Sequence, residues 1–224
     1  MQFLDFVESY CKKNNIDLMV SEKNRVNCYS IECNGFFDNA MPIDFNQEHI
    51  LGVKKYGEKN CSKDTKMVLA YSTGGKTEEE ILSLVAHEFG HANQYLESSE
   101  LWVDSSQFLV WDNYFTNEKF KMSKVKKVWA NIVKLEADCE KKVLNFIDEF
   151  KLPISKESYA QRANAYLYFY MFALKKRKWY NKAPYEIKEI VKEMPTTIYD
   201  LDFYSDQENK EITSKEKIFE ACFV

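Results

Sequence analysis

Residues 87 to 91 read His87-Glu88-Phe89-Gly90-His91, so two imidazoles and a carboxylate stand within five consecutive positions. Residues four apart lie on the same face of an α-helix, so His87 and His91 can both reach one metal ion. Glu88 follows by one residue, which puts its carboxylate beside that ion. From there it can accept a proton from metal-activated water instead of acting as a ligand. The motif therefore requires a helix, and it indicates a zinc hydrolase.

The sequence around the motif supplies that helix. Thr77 with Glu80 three positions later forms a capping box, and acidic residues follow Thr77 at the positive end of the helix dipole. We predict a helix at about residues 78 to 97. At roughly 100° per residue, its apolar side chains share one face; they are Ile81, Leu82, Val85, Phe89, Ala92 and Leu96. The two histidines lie on the opposite face, towards a cleft or solvent.

A catalytic zinc ion needs a third protein ligand, and no histidine follows His91. A second long helix is predicted at about residues 123 to 151, and Glu136 stands near the middle of its apolar stripe. A buried carboxylate needs a cation, so Glu136 is the predicted third ligand, with a pairing to Lys or Arg as the alternative. Glu140 lies one turn further on. It is predicted to accept a hydrogen bond from the outer N–H of a ligating histidine.

HEFGH together with Glu136-x-x-x-Glu140 resembles the gluzincin branch of the HExxH metallopeptidases. In that branch a Glu on a downstream helix completes the site, and an acidic residue four positions later supports a histidine. The segment LEADCEKKVLNFIDEFKLP also loosely resembles the ImmA/IrrE-like metallopeptidases. The resemblance covers roughly residues 66 to 153. It implies a zincin-like α+β fold, one Zn²⁺ ion and a peptide or protein substrate.

The same resemblance implies two further features. In zincin-like folds the strand before the motif helix commonly forms the sheet edge on which the substrate lies, and Met67–Tyr71 occupies that place; an ordinary paired strand is the alternative. Zinc peptidases also use a side chain that donates a hydrogen bond to the developing oxyanion. A third helix is predicted from Ser155 to Lys178, and it offers Tyr166, Tyr168 and Tyr170 for this role.

With 224 residues, 45% of them hydrophobic, the chain can bury one substantial core, and we predict one domain over residues 1–224. Within it we expect a strand-rich part at 1–76, a helical catalytic part at 77–179 and a tail at 180–224. Strands are predicted at Ile16–Val20, Val26–Ile31 and Met67–Ser72. Residues 73 to 77 lack the full phosphate-loop spacing and are predicted to form a strand-to-helix turn.

Composition and charge exclude several classes of protein. A net charge of −4 and a pI near 5.6 disfavour nucleic acid as a partner. The longest uncharged stretch is the twelve residues from Ala163 to Leu174, too short to span a bilayer. The N-terminus does not resemble a signal peptide. Six cysteines without C-x-x-C spacing indicate free thiols in the cytoplasm. The amino-acid usage hints at a phage or an AT-rich bacterium.

We therefore expect a zinc metallopeptidase in which His87, His91 and Glu136 bind Zn²⁺ and Glu88 is the general base. Two alternatives stay open. The first is another zinc amidohydrolase, similar to a deformylase, with Cys28, Cys33 or Cys61 as the third ligand. The second is a non-catalytic helical module that binds a partner and holds structural zinc or none. The sequence specifies neither the oligomeric state nor the substrate.

Overall fold

A computed structural model describes residues 3–29, 31–53, 64–116 and 119–224. The protein has an α+β fold, as predicted, with a small mixed sheet and extensive helix. The chain divides into two compact units. The first comprises Met1–Ser98 and Asn145–Ile154, and the second comprises Ser99–Leu144 and Ser155–Val224. The strand-rich part predicted for residues 1–76 lies in the first unit, together with the motif helix. That the whole chain is one functional domain stays a prediction.

The first unit contains a three-stranded sheet, a hairpin and the motif helix. In chain order, its elements are α1 (Phe3–Lys13), β1 (Ile16–Ser21), β2 (Val26–Cys28), β3 (Ile31–Cys33), β4 (Gly35–Pro42), α2 (Gln47–Ile50), β5 (Thr65–Ser72) and α3 (Glu78–Leu96). The sheet has the order β1-β5-β4, with β1 parallel and β4 antiparallel to β5. Strands β2 and β3 pair separately as an antiparallel hairpin.

Two sequence predictions about strands need correction, and one further strand was not predicted. The single strand predicted at Val26–Ile31 is two strands, because the chain reverses at Tyr29, whose φ is 55°. Strand β4 was not predicted. Met67–Tyr71 does not form an open edge; the alternative, an ordinary paired strand, is confirmed, because β5 pairs with β1 on one side and β4 on the other. The last five residues of β5 are all buried, as expected of a central strand.

An aromatic cluster holds the motif helix within the first unit. The ring of Phe89 on α3 contacts rings of α1, with centroids 6.1 Å from Phe3, 5.8 Å from Phe6 and 4.9 Å from Tyr10. Phe146 contributes a further contact at 5.3 Å. These contacts bury the apolar face of α3 that the sequence predicted, and they fix the rotation of the helix.

The second unit is helical, and its elements are α4 (Ser105–Phe115), α5 (Met122–Phe150), α6 (Lys156–Lys176), α7 (Lys188–Lys192), α8 (Leu201–Ser205), α9 (Lys210–Ser214) and α10 (Glu216–Phe219). The last six residues of α5, 145–150, belong to the first unit. In the second unit the buried Trp129 of α5 donates a hydrogen bond to the carbonyl of Tyr170 on α6, at 3.0 Å. None of the helices in the described residues is long and apolar enough to cross a bilayer.

Candidate metal centre

Helix α3 begins as the sequence predicts. The Oγ1 atom of Thr77 accepts a hydrogen bond from the Glu80 amide at 3.3 Å, and Oε2 of Glu80 accepts one from the Thr77 amide at 2.7 Å. Both halves of the capping box are therefore present. The helix continues to Leu96, so the complete five-residue motif lies on regular α-helix. The predicted helix is confirmed.

The Nε2 atoms of His87 and His91 point to the same place. Their Nε2 atoms are 3.2 Å apart, and the two rings are almost perpendicular, at 89°. Two imidazole nitrogens bound to one tetrahedral zinc ion at about 2.0–2.1 Å are about 3.3 Å from each other. Both side chains are half-buried, so they keep access to solvent. The pair has the geometry of a zinc chelate, and its donor atoms are of the type that zinc takes.

Gln94 fixes the orientation of His91. Its Oε1 atom is 2.9 Å from Nδ1 of His91, one turn earlier on the same helix, and Gln94 is fully buried. An amide oxygen is an acceptor, so Nδ1 carries the proton and Nε2 keeps its lone pair for a metal ion. This role of Gln94 was not predicted from the sequence. The spacing of three residues between His91 and Gln94 was the sequence signal available for this contact.

Glu88 is buried against strand β4. Its side chain is 7% exposed. A Cβ atom built on Gly35 of β4 would lie 3.1 Å from Cγ of Glu88 and 3.0 Å from the carbonyl oxygen of Ala70. A side chain at this position would press on Glu88 and on the carbonyl oxygen of Ala70, so glycine favours the close approach of β4 to α3.

The thiols of the β2–β3 hairpin lie near the same carboxylate. Burial, followed by the charge of Glu88, raises the pKa of Cys33 to about 12. Burial also raises the pKa of Cys28, and Cys33, Asp38 and Glu88 raise it further. Neither Cys28 nor Cys33 belongs to the group of donor side chains that contains His87 and His91, which disfavours both as the third ligand. Cys61, the remaining candidate of that alternative, lies outside the described residues.

In the second unit, α5 carries the two predicted carboxylates, and both are buried. Glu136 is 8% exposed and Glu140 is 4% exposed. The hydroxyl group of Tyr159 on α6 donates a hydrogen bond to Oε2 of Glu140. No sequence signal pointed to this pair, because the two residues are 19 positions apart on different helices.

The three tyrosines predicted as oxyanion donors face in two directions. The hydroxyl of Tyr170 donates to that of Tyr166 at 3.2 Å. Burial raises the pKa of both well above the usual value for tyrosine, and the charge of Glu136 contributes to each shift. The hydroxyl of Tyr168 instead donates to Glu211 of α9 at 2.9 Å. Tyr166 and Tyr170 are thus on the Glu136 side of α6, and Tyr168 is on another side.

Comparison with known proteins gives no relative for this chain. No protein-family model matches it, and neither a curated protein nor a solved structure does. Its chemistry is therefore inferred from its own side chains.

Proposed function

We propose that this protein is a zinc-dependent peptidase of the zincin type, in which His87 and His91 bind the metal and Glu88 is the general base. The observation that carries the proposal is the 3.2 Å separation of the two Nε2 atoms on one helix. The carboxylate of Glu88 follows His87 directly in the chain. Zinc hydrolases need this combination of two neutral imidazoles and an adjacent carboxylate.

The proposed third ligand comes from α5. His87, His91 and Cys139 form the one group of side chains, among the described residues, that could hold a metal ion. We therefore favour Cys139, and the sequence-predicted Glu136 is the alternative.

A zinc ion at this site would polarise the scissile carbonyl and lower the pKa of the attacking water. Glu88 would accept a proton from an attacking water molecule and pass it to the leaving amine. Its burial limits the access of bulk solvent to the carboxylate. Tyr166, Tyr168 or Tyr170 of α6 would donate a hydrogen bond to the developing oxyanion. The hydroxyl groups of Tyr168 and Tyr170 already donate to Glu211 and to Tyr166, so Tyr166 is the best supported of the three.

The edge of β4 supports a peptide as the substrate. The amide of Ser72 donates to the carbonyl of Asn34 at 2.9 Å, and Gly35 pairs with Tyr71 in the antiparallel register. Backbone groups alternate in direction along such a strand, so those of Gly35 and Phe37 point away from β5. Among the described residues, no strand pairs with that side of β4. An extended peptide that adds there would lie beside Glu88.

The first test is metal content, measured by mass spectrometry on untagged protein purified without added zinc. The variants are His87→Ala, Cys139→Ala and Glu136→Ala, purified in parallel with the wild type. We expect about one zinc per chain in the wild type, as a single mononuclear site requires. The metal should be lost in His87→Ala and in the variant that removes the third ligand. A wild-type protein without zinc would contradict the proposal.

The second test separates catalysis from binding. Glu88→Gln should keep the zinc content of the wild type and lose cleavage of a mixed peptide library, because the amide cannot accept the proton. Glu88→Gln that still cleaves at the wild-type rate would contradict the assigned mechanism.

One observation favours a second candidate, a closed zinc site with a structural role. Glu136 and Cys139 are both buried donors on the same helix, so together with two imidazoles they could complete four ligands. In that case Cys139→Ala and Glu136→Ala would each lose zinc, and the wild type would not cleave peptides. A catalytic site with three protein ligands and one open position would lose zinc in only one of these two variants.

A further inference from the structure

A small polar pocket lies within the second unit, between α4, α5 and the segment that precedes α4. Its volume is about 120 Å³. Pockets for drug-sized ligands measure about 300–1,000 Å³, so this pocket suits a ligand no larger than an amino acid. Five of its lining residues carry groups that can bind such a ligand: Glu100 and Trp102 of the preceding segment, Gln107 of α4, and Asn131 and Lys134 of α5.

Hydrogen bonds fix the backbone on two sides of this pocket. The Oδ1 atom of Asp104 accepts from the Gln107 amide at 3.1 Å and so caps the start of α4. In the preceding segment, the Trp102 amide donates to the Ser99 carbonyl at 2.9 Å. Val103, between these two contacts, is 2% exposed and anchors the segment in the core of the unit. The shape of the pocket is therefore largely preformed, as in most sites for small ligands.

Two amide side chains in the lining are joined to each other. Nδ2 of Asn131 donates to Oε1 of Gln107 at 2.8 Å, and both side chains are half-buried. Within the described part of the chain, this is the one hydrogen bond that either side chain makes. An amide group has one acceptor oxygen and two N–H donors. The pair therefore keeps an acceptor on Asn131 and donors on Gln107, and turning both amides over only exchanges these roles.

A carboxamide is the group that complements this pair of side chains. Its N–H can donate to Oδ1 of Asn131, while its oxygen accepts from Nε2 of Gln107. A carboxylate of the same shape has no donor for Asn131, and an apolar group would leave both side chains without a partner. The indole of Trp102 adds an aromatic surface against which methylene groups can pack.

The lining also carries one charge of each sign, on Lys134 and Glu100. Lys134 is 2.6 Å from Asp202, whose side chain is 89% exposed, and an ion pair this exposed is readily exchanged for a ligand. The carboxylate and ammonium groups of a free amino acid complement these two charges. We propose that this pocket binds a free amino acid with a carboxamide side chain, namely glutamine or asparagine. This inference goes beyond the proposed peptidase function and does not rest on the zinc site.

The first experiment is a ligand series on the wild-type full chain, measured by isothermal titration calorimetry. The ligands are glutamine, asparagine, glutamate and glutamine blocked at both its amino and its carboxyl group. We expect saturable binding of glutamine or asparagine, and binding of glutamate weaker than that of glutamine by about tenfold or more, because glutamate lacks the amide donor. No saturable binding of either amide, or equal binding of glutamine and glutamate, would overturn the inference. Blocked glutamine that binds as tightly as glutamine would overturn the assignment to a free amino acid.

The second experiment places the ligand in this pocket. Asn131→Leu removes the acceptor and should weaken binding of the amide by about tenfold. Asn113→Leu is the matched control, because Asn113 is also half-buried on a helix of the same unit but does not line the pocket. Equal affinities in the two variants would overturn the inference. If Asn131→Leu does not fold, Gln107→Leu on the neighbouring helix makes the same test.

The zinc site and this pocket can fail separately. Amide binding should be unchanged in His87→Ala, because His87 is not among the residues that line the pocket. A wild type that binds zinc and cleaves peptides but binds neither amide contradicts this inference alone. A wild type that binds glutamine or asparagine but no zinc supports this inference and contradicts the proposed function.

Discussion

The imidazoles of α3 and the carboxylates of α5 are both polar groups in apolar surroundings, but they are held in different ways. His91 is supported by Gln94 of its own helix, three residues later. Glu140 is supported by Tyr159, 19 residues later on another helix. Support of the first kind depends on helix geometry alone, whereas support of the second kind depends on how two helices pack. The first kind can be predicted from a sequence far more readily than the second.

The largest expected effect comes from removing an imidazole. His87→Ala or His91→Ala should weaken zinc binding by more than about a hundredfold, since each removes a direct ligand rather than an outer partner. Metal content and chelator competition measure this. The remaining histidine is the control. His49 is buried in α2, where its Nδ1 accepts from the Asn46 amide at 3.1 Å. His49→Ala should lose stability but keep the zinc, and zinc retained in His87→Ala would contradict the local site.

The second-largest effect concerns the support that His91 receives from its own helix. Gln94→Leu keeps the volume of the side chain but leaves the Nδ1–H group of His91 without this acceptor. Zinc binding should weaken by about 10- to 100-fold, as measured by chelator competition. Gln47→Leu is the control within the same unit, because Gln47 is exposed and donates to the Val20 carbonyl at 2.6 Å. If both variants bind zinc equally well, Gln94 does not orient the histidine.

The third effect tests a contact between elements that are distant in sequence. Gly35→Ala should lower the free energy of unfolding by about 1–3 kcal/mol, because the new Cβ would lie 3.0 Å from Cδ1 of Leu84 and 3.1 Å from Cγ of Glu88 on α3, and 3.0 Å from the carbonyl oxygen of Ala70 on β5. Urea denaturation measures the loss. Gly35→Val, with a larger side chain, should lose more. A stability equal to the wild type in both variants would show that β4 and α3 are not packed this closely.

The smallest effect concerns a helix cap. Thr77→Ala removes the acceptor for the Glu80 amide and should cost about 1 kcal/mol in urea denaturation, with zinc affinity unchanged. Ser155→Ala provides the comparison in the second unit, because Ser155 caps α6 by accepting from the Ser158 amide at 3.2 Å. The two losses should be similar. A loss of zinc affinity in Thr77→Ala would show that the motif helix needs its cap to hold the histidines.

Local signals account for what the sequence predicted about the fold. The long helices α3, α5 and α6 end within about two residues of the predicted positions, because caps and apolar periodicity are properties of neighbouring residues. Strand β4 was missed because it reads GFFDNAMP, without alternation, and carries a register shift between Asp38 and Met41. The hairpin was missed because its turn uses Tyr29 at positive φ instead of glycine.

The candidate site also has features that were predicted from neighbouring residues and features that were not. The motif identified His87, Glu88 and His91, and the structure gives the two histidines the spacing that one metal ion requires. The roles of Gly35 and Tyr159 could not be predicted, because both arise where distant segments meet. Cys139 was not among the ligands predicted from the sequence. It is one turn from Glu136 on α5, so which of the two is the better candidate depends on the exact rotation of that helix.

The continuity of α5 has a consequence for how the protein is made. The first unit is built from residues 1–98 and from residues 145–154, so translation produces its two parts with 46 residues of the second unit between them. Phe146 and Phe150 close on Phe3 and Phe6 only after the ribosome has released the end of α5. The nascent chain therefore carries the metal motif for some time before its aromatic support is complete. Full assembly of that unit is a late event in synthesis.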